Sequence, residues 1–107
     1  MNGYTPDATV AINTSQGPTV AFLAKGGDQF PWTAHKGKVY VGLFSGTLED
    51  GTSADDLDWN IDPYWVVEAF DQDGTLVELS PSEYREAVTR AGVRKTPVLE
   101  DGYCLAL

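Results

Sequence analysis

Only one stretch of this chain carries a well-signed helical pattern, so most of its core must come from short strands. That stretch begins at Ser80-Pro81-Ser82-Glu83. It offers a capping serine, a proline at the first helical position and a glutamate three residues after the cap. Tyr84, Ala87, Val88 and Ala91 then recur at helical spacing on one face, while Arg85 and Arg90 point elsewhere. Gly92 is a natural stop, and the expected helix spans 81–91.

The remaining apolar segments alternate or are broken by turn residues. Residues 8–14 and 19–24 alternate around Ser15-Gln16-Gly17-Pro18, which predicts a β-hairpin. Gly26-Gly27 and Phe30-Pro31, running on to Gly37, read as a loop over 25–38. Val39–Phe44 reads as a strand rich in β-branched and aromatic residues. Trp65–Phe70 and Thr75–Leu79 flank Asp71-Gln72-Asp73-Gly74 and predict a second hairpin. Pro97–Leu99, a Glu100-Asp101-Gly102 turn and a terminal strand Tyr103–Leu107 complete the chain. Leu-Glu-Asp-Gly occurs at 48–51 and again at 99–102, each time as an expected hairpin turn. With 107 residues and no linker or low-complexity segment, one domain is expected. The expected fold is α+β: an antiparallel sheet of five to seven short strands with the helix packed on it. An all-β sandwich or barrel with a peripheral helix is the alternative.

Charge gives the clearest functional signal. Sixteen acids against seven bases leave a formal charge of −9, which disfavours direct contact with nucleic acid or an anionic membrane. The acids are also segregated. Between Val39 and Tyr84 there is no Lys or Arg, yet Glu49, Asp50, Asp55, Asp56, Asp58, Asp62, Glu68, Asp71, Asp73, Glu78 and Glu83 all fall there. Such a distribution predicts an anionic face for a basic partner.

Within it, Asp56, Asp58, Asn60 and Asp62 alternate with Leu57, Trp59 and Ile61. An extended backbone would place the acids in a row at about 6.7 Å spacing. Mutual repulsion is then only about 0.6 kcal/mol per pair in water. This spacing is close to that of successive nucleic-acid phosphates. Alternatively, Ser53-Ala54-Asp55-Asp56 starts a short helix, which would break the row. The expected partner-binding set is Glu49, Asp50, Asp55, Asp56, Asp58, Trp59, Asp62, Tyr64 and Trp65, with the aromatics as an interface anchor or a sugar-stacking platform.

Catalytic and metal motifs are weak. Asp56-x-Asp58-x-Asn60 opens like an EF-hand loop, but Ile61 stands where glycine is needed and Glu68 comes one place late. No metal, cofactor or calcium site is expected. His35 is the only histidine and reads as a loop residue; no nucleophile elbow or phosphate-binding glycine loop accompanies it. Cys104, the only cysteine, reads as a small core residue. Met1–Thr9 is polar and without Lys or Arg, unlike a secretory leader, so a cytoplasmic setting is expected.

The apolar run Val66–Phe70 followed by Asp71-Gln72-Asp73-Gly74-Thr75 resembles the first motif of the haloacid-dehalogenase phosphotransferases. That resemblance implies Asp71 as nucleophile, Asp73 as general acid/base and magnesium nearby. It covers about a tenth of the chain. Too little sequence follows Thr75 for the family's remaining strands, its lysine and its second acidic pair. A hairpin turn accounts for the same residues, and a non-enzymatic binding protein is the expectation. Its sharpest form is a nucleic-acid mimic or inhibitor that occupies the phosphate-binding surface of a nucleic-acid-handling protein. A virion or complex subunit, acidic only for solubility, is the alternative, and a carbohydrate-binding module a lesser one. The oligomeric state is left open.

Overall fold

The computed structural model describes residues 5–42 and 45–94. Among these, five antiparallel strands form two small sheets against one helix, the expected α+β class. The expected turn at 99–102, the terminal strand and Cys104 lie outside the described residues.

The first hairpin forms as its alternation dictates. Strands β1 (Ala8–Thr14) and β2 (Gly17–Lys25) pair around Ser15-Gln16, with Val10 opposite Ala21 and Ile12 opposite Thr19. Strand β5 (Tyr64–Asp71) joins the other edge of β2, giving the order β1-β2-β5. A bulge shifts the register between Phe22 and Leu23. One face of this sheet, carrying Val10, Ile12, Ala21, Leu23 and Ala69, is buried.

Helix α1 (Pro81–Arg94) covers that face with Tyr84, Ala87, Val88 and Ala91, the stripe expected from the sequence. Its capping box closes in both directions. The Ser80 amide donates to Glu83 Oε1 at 2.8 Å, and the Glu83 amide donates to Ser80 Oγ at 3.3 Å. The second Glu83 oxygen accepts the Ser15 amide (3.2 Å), so one side chain ties the helix start to the β1–β2 turn. At the other end Arg90 donates to the Ala11 carbonyl (3.0 Å) and pairs with Glu86 (2.8 Å). The helix runs past Gly92 instead of stopping there. A glycine ends a helix only when the chain turns left-handed at it, and Gly92 does not have a positive φ.

Two further expectations need correction. The loop expected over 25–38 contains a strand. β3 (Trp32–His35) pairs with β4 (Lys38–Val41) through a two-residue turn at Lys36-Gly37. Both turn residues have positive φ (53° and 81°), the conformation that matches the twist of a tight hairpin. β4 also begins one residue earlier than the expected Val39 start, and Leu43 and Phe44 lie outside the described residues. Conversely, the expected strand Thr75–Leu79 is not a regular strand; it meets β5 through the Asp71 amide on the Thr75 carbonyl, a bridge of Leu76 to Phe70 and the Val77 amide on the Ala69 carbonyl. The turn before it does form. Asp71 Oδ1 accepts the amides of Asp73 and Thr75, each at 2.9 Å, so this carboxylate caps its own turn.

Trp32 joins the two-stranded sheet to the helix. It is 1% exposed, its ring lies 4.9 Å from that of Tyr84, and the Arg85 guanidinium sits 4.8 Å above it. Tyr84 in turn accepts the Val66 amide (3.1 Å) on its hydroxyl. Burial, with Asp62 nearby, pushes the Tyr84 phenol up to about 12, so it stays neutral at any ordinary pH.

Candidate functional site

The acidic segment is held against the β3–β4 hairpin by partners distant in sequence. Trp32 and Asn60 exchange backbone hydrogen bonds (2.9 and 2.6 Å), and Thr33 Oγ1 donates to the Asp58 carbonyl (2.7 Å). Trp32 Nε1 donates to Asp62 Oδ2 (2.7 Å), while Trp59 Nε1 turns back to the Ala54 carbonyl (3.1 Å). The amides of Gly26 and Gly27 both donate to the Pro63 carbonyl. Gly27 is required by this closeness: an added Cβ would overlap the Asp62 carbonyl oxygen and lie 2.8 Å from its carbon.

The regular row expected over Asp56–Asp62 is not formed. Ala54–Asp56 makes a turn of 3-10 helix, so the helical alternative holds at this end. Ser53 precedes it without a side-chain capping bond. Asp62 is half-buried and engaged by Trp32, and Ile61, expected on the face opposite the acids, is 68% exposed. Asp55, Asp56 and Asp58 are exposed, and among the described residues none of them has an ion-pair partner.

Glu49 and Asp50 are spoken for. Leu48–Gly51 forms the expected turn, closed by the Gly51 amide on the Leu48 carbonyl. The turn presents Asp50 Oδ2 to His35 Nε2 (2.8 Å) and Lys36 Nζ (3.0 Å), and Glu49 to Lys38 (3.3 Å). A shallow cleft of about 200 Å³ lies over this cluster. The Lys36 bond, then His35 and Thr52, hold the Asp50 carboxyl well below its ordinary value of 3.8; Glu49 raises Lys38. Because the folded value of Asp50 is depressed, its contribution to stability is complete above the unfolded value and drains away as the pH falls through the folded one. Asp50→Asn is therefore expected to lower the urea midpoint at pH 6 and to lower it by less near pH 2, where the contribution has only partly drained away. The pH dependence of urea melts checks this, and an equal loss at both pH values would refute it. His35 Nε2 faces both Asp50 and Thr52 Oγ1 (3.2 Å), so these contacts do not make a relay through its two ring nitrogens.

The expected aromatic platform is dispersed. Tyr64 is 2% exposed and belongs to the core. Trp59 is half-buried, and Trp65 lies under Phe30 with ring centroids 4.3 Å apart. Among the described residues the Tyr64 hydroxyl and Trp65 Nε1 are buried without a hydrogen-bond partner. Among the described residues no three His, Cys, Asp or Glu side chains converge on a metal-sized site, and no helix is long and apolar enough to cross a membrane.

Sequence reasoning overlooked the outer face of the β1-β2-β5 sheet. Its central strand turns Pro18, Val20, Phe22 and Ala24 outward, with Phe22 packed 5.7 Å from Phe70. The signal was present in residues 18–24, where the outward positions carry no polar side chain. Comparison with protein-family models, curated proteins and solved structures finds no match to any of them.

Proposed function

We propose that this protein is a non-enzymatic, acidic binding protein whose central segment engages a basic surface on a partner. One observation carries the reading: Asp55, Asp56 and Asp58 stand exposed within four residues and, among the described residues, without an ion-pair partner, while Lys36 and Lys38 are committed to Asp50 and Glu49. Three carboxylates within four residues attract a cationic surface and speed its approach. A nucleic-acid-handling protein is one partner of this kind, met by a compact anionic patch instead of a phosphate-like row.

The test is a pull-down from native lysate at low and high salt, with the partner then titrated against variants. Asp55, Asp56 and Asp58 are changed together to Asn; Asp62 is kept because it holds Trp32. Affinity for a basic partner retained at low salt is expected to fall by about tenfold or more, with melting unchanged. Unchanged binding by the triple variant would show the patch to be solvated surface.

A second reading has its own support. The apolar outward row of β2 suits an assembly subunit, with the acids serving solubility. It predicts association that is indifferent to salt.

A further inference from the structure

An antiparallel sheet with one face on the core normally alternates polar residues on the other. β1 does so weakly, with Thr9 and Asn13 flanking Ala11 on the outward side. β2 does not: Pro18, Val20, Phe22 and Ala24 all face away from α1, and Val20 is 39% exposed. β5 adds Phe70 and Trp65 to this face, and Glu68 directly opposite Phe22. The face is thus an apolar stripe with a single carboxylate set into it.

Its borders have the same sign. Asp71 and Gln72 line a groove of about 230 Å³ with Pro18 and Val20 at one end of the stripe, and Asp73 follows in the same turn. Asp28 lies in the turn that carries Phe30 at the other end, where Lys25 closes β2. Arg90 reaches the groove from the edge but is held by Glu86 and by the Ala11 carbonyl. Among the described residues, four carboxylates against Lys25, with Arg90 already held, favour a cationic occupant. A second copy of this chain would instead bring a formal charge of −9 against its like.

We propose that the outer face of the β1-β2-β5 sheet docks an extended, basic and apolar segment of a partner protein, its aliphatic side chains on Val20, Phe22 and Phe70 and a Lys or Arg on Glu68. This rests on the reading of the protein as an acidic binder and names the surface that grips after the exposed aspartates attract. An apolar stripe supplies contact area, and one carboxylate inside it selects the partner's sign.

The test is a residue-resolved NMR titration of the full chain with three synthetic peptides as long as β5 (8 residues): alternating Lys-Val, oligolysine and alternating Glu-Val. The Lys-Val peptide is expected to shift the amides of Val20, Phe22, Glu68 and Phe70. Glu68→Lys is expected to weaken it about tenfold or more, and Glu68→Gln by less. Shifts confined to Asp55–Asp58 with both cationic peptides would overturn the sheet site and leave the acidic-binder reading standing. No shift with either cationic peptide would overturn both. Equal binding of Lys-Val and Glu-Val peptides would overturn the choice of a basic occupant. So would contacts in the free protein between this face and residues 95–107 or a second copy.

Discussion

Replacing Trp32 by alanine is expected to cost about 4 kcal/mol, the range found for deleting a buried large aromatic side chain. The residue is almost fully buried where the β3–β4 hairpin, the helix and the acidic segment meet. Its loss removes the ring that Tyr84 and Arg85 pack on, and the indole N–H that holds Asp62. A domain of this size has about 5–15 kcal/mol in all, so the variant loses roughly a quarter or more of its stability. Trp32→Phe keeps most of the volume and loses the N–H; because Asp62 is half-buried, water replaces part of that bond, and about 1–2 kcal/mol is expected. Urea denaturation of the two variants checks the ranking. A cost below about 1 kcal/mol for the alanine variant would mean that the hairpin does not depend on this ring.

Nothing local in the sequence announces Trp32 as a junction, and this marks where sequence reasoning stopped. Features written within a few residues were legible. Ser80 and Glu83 exchange the bonds their spacing implies, and the alternation of 8–14 and 19–24 fixes the first hairpin in register. β3 was legible in principle: Lys36-Gly37 between two runs of four is a two-residue hairpin loop. The neighbouring Gly26-Gly27 and Phe30-Pro31 hid it by making the whole stretch resemble a loop.

The acidic segment failed for a different reason. Its alternation is real, but Trp32 and Thr33, some 25 to 30 residues away, decide its path. Trp59 turns back onto Ala54, Ile61 is driven outward, and Asp62 is drawn in. Of the nine residues expected to meet a partner, Tyr64 is in the core, and Asp62, Glu49 and Asp50 already hold internal partners. Among the described residues Asp55, Asp56 and Asp58 are the members of the set left exposed without an ion-pair partner. Residue type marks the segment as acidic, and only the tertiary contacts separate the acids with internal partners from the exposed ones.

Gly27→Ala is expected to be the most damaging small substitution, at about 3 kcal/mol, the upper range for forcing one extra carbon into a filled space. The cause is steric and has nothing to do with glycine's backbone freedom, since Gly27 does not have a positive φ. The new methyl would occupy the position of the Asp62 carbonyl, which is backbone and cannot rotate aside. Gly37→Ala provides the contrast. Its φ of 81° disfavours a side chain, but nothing lies within 4 Å of the added carbon, so about 1 kcal/mol is expected. Relief at position 27 requires the 60–63 segment to move off the Gly26–Gly27 turn, which loosens the Pro63 bonds and carries Asp62 away from Trp32. The Trp32 indole N–H resonance should therefore move in Gly27→Ala and stay in place in Gly37→Ala. A basic partner read by the Asp55–Asp58 patch should also bind Gly27→Ala more weakly, although no charge has been removed. A folded Gly27→Ala protein with an unmoved indole resonance and full affinity would show that the acidic segment is not positioned through this contact.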